Sequence, residues 1–357
     1  MSYIYTKKRK PKNGKALPPE FKGKVEIRRN KIVRKIKKPR ITYSQDWPTY
    51  NKGQTNEEPL FFQILNDAIE FLQIEEKWGG RGRPFSLMSD MIKCCIIKVY
   101  YCRSSRRIIG RLKLLKKTGY VTKIPHYNTI INYMGNPETT LYLNELVKIT
   151  SRPFKHIETN FAPDSTGIST NIKDFWTDVR FGSKKIKHRK WKKLHIMTGT
   201  KTNIVTAVKV TDAYAHDSPQ FENLFNTTSE TFQIKEVSAD PAYSSRKNVQ
   251  IVANGGATPY ILPKESSVVH SRARGSSAWK TLLNFLKKHR DEFMKHYHQR
   301  SNVESTFSMI ERKFSKHIKS KKDLSQENEI LCKIICHNIS VLASAIFQIG
   351  IDINFNN

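Results

Sequence analysis

The sequence predicts an α/β protein in which a mixed sheet with flanking helices follows a small all-α domain and a basic N-terminal arm. Three observations lead to this fold class. Short segments rich in β-branched residues, typical of strands, begin only near residue 157. Apolar residues at helical spacing dominate before that point and recur between the later strands. Hydrophobic residues make up 38% of the 357 residues, enough for a folded core.

The chain carries a formal net charge of +32, from 63 Lys and Arg against 31 Asp and Glu. Such a charge opposes compactness through self-repulsion, so a polyanion such as nucleic acid is the expected partner. We expect no membrane partner, because no apolar run of about 18 residues and no signal-peptide pattern is found. Five cysteines, an odd number without a C-x-x-C pair, indicate reduced thiols and a cytoplasmic protein.

Residues 1–45 form the predicted basic arm. Residues 1–44 contain 16 Lys and Arg but two acidic residues, Glu20 and Glu26, and no apolar period persists. This composition predicts a flexible segment that stays without regular structure until it meets nucleic acid. A solubilising tail or a nuclear-import-like signal is the alternative interpretation.

Residues 46–152 form the predicted helical domain. Helical spacing of apolar residues predicts helices over 58–74 and 87–101, joined by the Gly-rich stretch "GGRGRPFS". Arg81 and Arg83 in this stretch match the core of Arg-rich hooks that enter the minor groove of A·T-rich DNA. The alternative is a simple loop whose serine caps the next helix.

A helix-turn-helix is the expected DNA-recognition element of this domain. Residues 104–117 predict a basic amphipathic helix that Gly119 ends, and residues 126–134 predict a second, shorter helix with a polar start. A three-helix bundle that binds no DNA has the same pattern and is the alternative. The residues expected to face the DNA groove open the second helix: His126, Tyr127, Asn128 and Thr129.

Residues 153–349 form the predicted α/β domain. Strands are expected from "IETNFAPDSTGIS", "FWTDVRF", "KKLHIMTGT", "NIVTAVKVT", "IKEVSAD" and "TPYILP". Helices are expected between the later strands, and the remainder after about residue 277 is mostly helical.

Three carboxylates of this region form the candidate catalytic constellation. Asp164 and Asp240 are placed at strand ends and Glu304 on a later helix, and the carboxyl ends of strands are where sites form in open α/β sheets. An all-oxygen cage suits Mg²⁺ or Mn²⁺, and two such ions about 4 Å apart promote phosphoryl transfer. We therefore expect Asp164, Asp240 and Glu304 to bind two divalent ions.

The helix that carries Glu304 is predicted to present two stripes. At 100° per residue its apolar residues share one stripe, while Tyr297, Arg300 and Glu304 share a second stripe about 90° away. Glu304 is therefore expected at the border of the buried face, where a carboxylate can meet both metal and substrate. The apolar stripe consists of Val303, Phe307, Ile310 and Phe314.

Three stretches, "APDSTG", "SADPAYSS" and "YHQRSNVESTF", resemble the catalytic blocks of the DDE transposases of prokaryotic insertion sequences. The last block carries the Tyr-x2-Arg-x3-Glu signature of one branch of that family, at Tyr297, Arg300 and Glu304. Residues 191–225 and 260–267 resemble segments that accompany these blocks, so the likeness covers about residues 155–320.

The resemblance implies an RNase H-like core that binds divalent metal, hydrolyses phosphodiester bonds at transposon ends and joins the freed 3′-hydroxyl to target DNA. Asp164, Asp240 and Glu304 match the family's metal ligands. Tyr297 and Arg300 match residues that position a DNA phosphate, a role that suits a planar cation. The implied partners are double-stranded DNA, both ends and target, and a second copy of the chain in a homodimer on DNA, in the prokaryotic cytoplasm at the nucleoid.

The sequence departs from the family pattern at two places. The family has Lys seven residues after the Glu, where this chain has Glu311, so Arg312 and Lys313 are the candidates to contact the same phosphate. Pro163, directly before Asp164, has no N–H to donate, which predicts that the strand ends or bulges there or that this copy has decayed.

A basic segment, "FGSKKIKHRKWKK" at residues 181–193, contains seven Lys and Arg. We expect it to form a turn and an edge strand whose Lys190, Lys192 and Lys193 track a DNA backbone. Lysines that protect an exposed edge strand from aggregation are the alternative.

Two other functions fit the same residues. One is a metal-dependent DNA nuclease that stops at hydrolysis. The other is a non-catalytic, sequence-specific DNA-binding protein, which needs the positive charge but not the carboxylates.

Overall fold

The computed structural model of the protein describes residues 25–28, 31–34, 46–76, 86–170, 191–264, 267 and 276–355. It divides into two compact units, residues 1–47 and 48–357. In the first unit, strand β1 (Val25–Arg28) pairs antiparallel with strand β2 (Lys31–Arg34). The prediction that this arm lacks regular structure is not confirmed at these strands. Both strands contain β-branched Val and Ile, which favour strand structure.

Helices dominate residues 47–151. They are α1 (Trp47–Thr55), α2 (Glu57–Phe71), α3 (Met88–Tyr100), α4 (Ser105–Lys117), α5 (Tyr127–Met134) and α6 (Pro137–Ser151). Helical spacing of apolar residues identified α2 to α5. It missed α6, whose start is marked by the Asn136 side chain, which accepts a hydrogen bond from the Glu138 N–H (3.0 Å), and by Pro137 in the first turn.

The helix-turn-helix prediction is not confirmed. Residues 118–126 separate α4 from α5, which is longer than the three- or four-residue turn of that motif. Gly119 ends α4 with a positive φ of 83°, as the sequence indicated. The connection then returns to α3, where the carboxylate of buried Asp90 accepts hydrogen bonds from the backbone N–H groups of Thr122 and Lys123.

A five-stranded mixed sheet forms the second part of the chain, as predicted. The strands are β3 (Asn160–Ser169), β4 (Trp191–Gly199), β5 (Val205–Asp212), β6 (Glu236–Ala239) and β7 (Thr258–Ile261). Their order across the sheet is β5-β4-β3-β6-β7, with β3, β4 and β5 antiparallel and with β6 and β7 parallel to β3. The predicted strand "FWTDVRF" lies outside the described residues.

Helices connect the later strands and pack against both the antiparallel and the parallel part of the sheet. Helix α7 (Phe221–Ser229) follows β5, and α8 (Arg246–Asn254) joins β6 to β7. Within the described residues from 276 onward, four further helices follow: α9 (Ser277–Lys288), α10 (Arg290–Tyr297), α11 (Ser301–Phe314) and α12 (Asp323–Gln348).

Helix α12 is the central helix of the compact unit. By length and composition it is the one helix of the described ranges that could cross a membrane, but 83% of its most apolar window is buried inside the protein. It packs against α2, α3, α6 and β5. The helical part and the sheet therefore share one core. The predicted domain limits at residues 45, 152 and 349 stay predictions.

Two expectations about strands are wrong. Strand β4, which carries Lys192 and Lys193, lies inside the sheet between β5 and β3 and is not an edge strand. Strand β3 neither ends nor bulges at Pro163, which pairs in register with Met197.

The position of β6 explains why proline is tolerated in β3. The Asn160 carbonyl accepts from Thr200 on the β4 side, whereas the Thr159 carbonyl accepts from Lys235 on the β6 side. Backbone groups alternate along a strand, so the nitrogen of Pro163 faces the β6 side. The ladder with β6 already ends at Phe161, so no hydrogen bond is lost.

Buried His337 on α12 gives a testable pH dependence. Its Nε2–H donates to the Asn203 carbonyl (2.9 Å), and burial lowers the pKa of His337 to about 4. A neutral histidine in the folded state contributes stability above the unfolded pKa of about 6.5, and this stability is lost as pH falls toward 4. Urea unfolding at pH 7.5 and 4.5 should show a loss of about 2–3 kcal/mol from this residue.

The variant His337→Gln should flatten that pH dependence by the same amount, because it removes the titrating ring. His156→Gln, at an exposed histidine, is the matched control and should leave the slope unchanged. Equal slopes in the two variants would contradict the assignment.

Candidate active site

The divergence of β3 from β6 places two carboxylates at one opening of the sheet. The β3–β6 ladder covers only Asn160 and Phe161, and Asp164 lies three residues further along β3, where it still pairs with Ile196 of β4. Asp240 directly follows the last residue of β6. Asp164 is therefore inside its strand rather than at a strand end, and it is the end of β6 that exposes this stretch of β3.

Asp240 is held in a defined orientation by the turn that it opens. Residues Pro241–Tyr243 form one turn of 3-10 helix, and the Asp240 Oδ1 accepts a hydrogen bond from the Ala242 N–H (2.9 Å). One oxygen thus caps the turn, which leaves the second oxygen available to the opening.

The third carboxylate comes from the start of α11. Residues His298–Arg300 form a 3-10 turn between α10 and α11, and Glu304 lies in the first turn of α11. The sheet fixes this junction, because the Ser238 hydroxyl donates to the His296 carbonyl (3.0 Å). The Asn302 side chain likewise donates to the Thr200 carbonyl.

Tyr297, Arg300 and Glu304 do not share one continuous α-helix, because the 3-10 turn His298–Arg300 separates α10 from α11. Tyr297 is 8% exposed and its ring lies under the Arg300 guanidinium, 5.5 Å from the ring centroid. Arg300 in turn approaches Glu304, with 3.7 Å between its Nη2 and the Glu304 Oε1. The predicted apolar stripe of α11 is confirmed as buried: Val303, Phe307, Ile310 and Phe314.

At the opening, the negative charges of the carboxylates outnumber the positive charge of Arg300. Burial raises the pKa of Asp164 to about 6, and the charges of Asp240 and Glu304 act in the same direction. The Ser165 N–H, 2.8 Å from the Asp164 Oδ1, and the Arg300 charge oppose this increase. Three carboxylates thus interact at one place with one guanidinium among them.

These residues fit a divalent cation by donor chemistry but are not assembled into a complete cage. Hard oxygen donors that repel one another suit Mg²⁺ or Mn²⁺, which would relieve the repulsion. No group of three His, Cys, Asp or Glu side chains in the described ranges is placed to hold a metal ion. The reason lies at Glu304, whose side chain is 64% exposed and pairs with Arg300 instead.

Sequence reasoning missed a buried polar cluster next to Asp164. His195 on β4 is fully buried, and its Nδ1 lies 3.2 Å from the Asp217 Oδ1. The same carboxylate oxygen lies 2.8 Å from the Nζ of Lys193, and the other ring nitrogen of His195 contacts the Thr211 hydroxyl (2.9 Å). Lys193, expected to contact DNA, is therefore paired within the protein.

Tyr243 connects this cluster to the carboxylates. Its side chain is buried, and burial raises its pKa, as do the charges of Asp217, Asp164 and Asp240 in that order. The neutral phenol of Tyr243 thus lies close to the carboxylates of Asp217, Asp164 and Asp240. The sequence feature that could have pointed to Tyr243 is its position three residues after Asp240, in the block "SADPAYSS".

Two more basic candidates make contacts within the protein. The Lys192 ammonium pairs with Asp212 (2.8 Å), and Lys313 pairs with Glu57 of α2 and donates to the Ser340 hydroxyl (3.1 Å). Neither side chain joins the three carboxylates in this structure. Their contacts with DNA stay predictions.

The remaining DNA-contact candidates are exposed or outside the described residues. The His126 Nδ1 accepts from the Asn128 N–H (3.3 Å) and caps α5, and both residues are exposed while Thr129 is half-buried. Arg312 is exposed near the end of α11. Arg81, Arg83 and Lys190 lie outside the described residues.

Comparison with known proteins gives two findings. A family model described as "Transposase DDE domain" matches residues 157–339, slightly more than half of the chain. The chain is also similar to the solved structure "Cryo-EM structure of piggyBac transposase synaptic complex with hairpin DNA (SNHP)". That similarity has a TM-score of 0.39 and 10% sequence identity, and it covers 87% of this chain and 80% of the other.

Proposed function

Because the chain belongs to the transposase DDE domain family, we propose that it is a transposase that binds and cleaves the ends of an insertion sequence and joins each freed 3′-hydroxyl to target DNA. The observation that carries this proposal is the electrostatic coupling of Asp164 with Asp240 and Glu304 beside Arg300. The mixed sheet and its helices would then be an RNase H-like core.

The carboxylates have distinct parts in the proposed reaction. Asp164 and Asp240 would hold divalent metal, Mg²⁺ or Mn²⁺ as two ions, and Glu304 would complete the ligand set after it leaves Arg300. When bound, the metal supplies Lewis-acid activation of the nucleophile and stabilises the leaving oxygen. Released Arg300, supported by the Tyr297 ring, would donate hydrogen bonds to the phosphate at the cleavage point.

The proposed partners follow from charge and chemistry. A net charge of +32 suits double-stranded DNA, both the element's ends and the target. Concerted cutting of two ends calls for a homodimer on DNA, and we place the protein in the cytoplasm at the nucleoid. A nuclease without strand transfer, or a non-catalytic DNA-binding protein, would share the charge but not the full reaction.

Glu304→Gln tests the catalytic proposal. On a DNA fragment that includes both flanks of the coding sequence, this variant should lower Mg²⁺-dependent strand cleavage about 10²–10³-fold, because one metal ligand loses its charge. DNA binding should persist. Glu311→Gln, the same substitution on the same helix, is the matched control, since Glu311 pairs with Lys316 (3.2 Å). Full cleavage activity in Glu304→Gln would refute the assignment.

A second assay separates a transposase from a nuclease. A fragment with a pre-cut 3′-hydroxyl end and a labelled target plasmid should give joined products in Mg²⁺. Cleavage without any joined product would identify a nuclease, and metal-independent binding without cleavage would identify a DNA-binding protein.

A further inference from the structure

A basic cleft lies on the helical part of the protein, outside the carboxylate site. It is a cavity of about 410 Å³ between the start of α4, helix α5 and the segment that leads into α12. No acidic side chain is among the described residues that line it. Five cations line it: Lys98, Arg106, Lys319, Lys321 and Lys322.

Lys98 is the first sign that this cleft has a ligand. Its side chain is 7% exposed, yet within the described ranges it has no hydrogen bond or ion pair. The nearby buried charges are satisfied: Lys333 donates to two backbone carbonyls, at 2.6 and 3.0 Å, and Glu329 accepts from backbone N–H groups of Lys319 and Ser320. Lys98 lines the cleft and its Nζ is not one of the fully buried polar atoms without a partner, so the ammonium is accessible to an anion bound there.

Two hydroxyls of the cleft are in the same situation. Ser105 and Ser325 are 8% and 6% exposed, and neither side chain makes a hydrogen bond to another part of the chain that the structure describes. Neither hydroxyl oxygen is among the fully buried polar atoms without a partner, so both are accessible from the cleft. Both can donate to an oxygen anion that also meets the Lys98 ammonium.

The N-termini of two helices add positive electrostatic potential to the cleft. Helix α4 begins at Ser105, and α12 begins after Lys322, whose side chain does not cap the helix. The first N–H groups of a helix lack intrahelical acceptors and carry a partial positive charge, which favours phosphate. Two such ends at one cavity strengthen the preference for an anion.

The walls of the cleft indicate an anion attached to an apolar body. Arg106 stacks on the Tyr127 ring, 4.7 Å from its centroid, which holds the guanidinium at the mouth of the cleft. Ile131, 47% exposed, and Met134 form an apolar surface beside the cations. A phosphodiester with its sugar presents this combination, whereas an isolated inorganic ion does not.

We propose that this cleft binds the phosphodiester backbone of a DNA strand, as a contact separate from the cleavage site. The identity of the ligand as DNA rests on the proposed function, whereas its phosphate chemistry rests on Lys98, Ser105, Ser325 and the two helix ends. The cleft adjoins α5 and so anchors DNA next to His126 and Asn128 at the start of that helix.

Two variants test the cleft, Lys98→Met and Arg106→Gln. Fluorescence anisotropy with a labelled 30-base-pair duplex in EDTA, at several salt concentrations, should show about tenfold weaker binding for each. The slope of log K against log salt should fall by about one for each phosphate contact removed. Lys98→Met should unfold at no lower temperature than the original protein, because methionine keeps an apolar stem in the buried position and no side-chain hydrogen bond or ion pair within the described ranges is lost.

Lys113→Gln is the matched control, because it removes one positive charge from the exposed face of the same helix, away from the cleft. Binding by Lys98→Met and Arg106→Gln equal to that of Lys113→Gln would overturn the proposal. Arg106 is exposed, so Arg106→Gln keeps the test valid even where Lys98→Met folds poorly.

Inorganic phosphate distinguishes the source of the anion. Millimolar phosphate should raise the melting temperature of the original protein less than the duplex does, and Lys98→Met should show a smaller increase with either ligand. A phosphate effect equal to that of DNA would overturn the DNA assignment. Because these measurements need no metal, an enzyme that fails to cleave DNA leaves them intact, so the two proposals fail separately.

Discussion

Asp164→Asn is expected to lower metal-dependent DNA cleavage about 10⁴-fold and, at the same time, to raise the melting temperature of the metal-free protein by about 2 °C. The two effects have one cause. Asp164 is partly buried, and its carboxylate is repelled by those of Asp240 and Glu304. Asparagine keeps the oxygen that accepts from the Ser165 N–H but removes the charge. The free protein gains stability, and the proposed metal site loses one of its carboxylate ligands.

Thermal unfolding with and without 10 mM MgCl₂ measures this prediction independently of catalysis. The original protein should be stabilised by Mg²⁺ and the variant should not, since only binding to the folded state shifts the melting temperature. Asp212→Asn is the matched control, at an exposed aspartate of the same sheet that pairs with Lys192. An equal Mg²⁺ response in Asp164→Asn and the control would contradict the metal assignment.

Asn338→Ala is expected to lower the free energy of unfolding by about 4 kcal/mol. Asn338 on α12 is fully buried and joins the helical part of the core to the sheet. Its Oδ1 accepts from the Val205 N–H (3.0 Å), and its Nδ2 donates to the Val205 carbonyl (2.8 Å) and the Thr150 hydroxyl (3.1 Å). Alanine would leave these backbone groups at the start of β5 without partners in a dry interior.

Urea denaturation monitored by circular dichroism measures the loss. Asn226→Ala, at an exposed asparagine of α7, should change the unfolding free energy by less than about 0.5 kcal/mol. A loss below about 1 kcal/mol for Asn338→Ala would show that water or a shift of α12 satisfies Val205.

Local sequence determined most of the elements and the order in which they occur. Helices α2 to α5 and the five strands of the sheet follow from apolar periodicity, because burial of one face requires a period of about 3.6 in a helix and two in a strand. Helix α6 was missed, since its start is signalled by Asn136 and Pro137 rather than by periodicity. The residues that flank Asp164, Asp240 and Glu304 in the sequence identified the family, and the family model that matches residues 157–339 shows the same family.

Tertiary structure alone decided which charges meet. Lys193 pairs with Asp217 and Lys313 pairs with Glu57, so two cations that the sequence assigned to DNA contacts are paired within the protein. The placement of β4 inside the sheet and the early end of the β3–β6 ladder, which accommodates Pro163, are likewise set by strand order.

The basic cleft at Lys98 illustrates the difference between the two levels. Sequence by itself determined the excess of positive charge and therefore the class of partner, because net charge is a sum over residues wherever they lie. Only the fold decided that Lys98 and Ser105 would line one cleft with Ser325, which lies far along the chain. The cost of burying a polar group depends on its neighbours in space, which periodicity and composition do not specify.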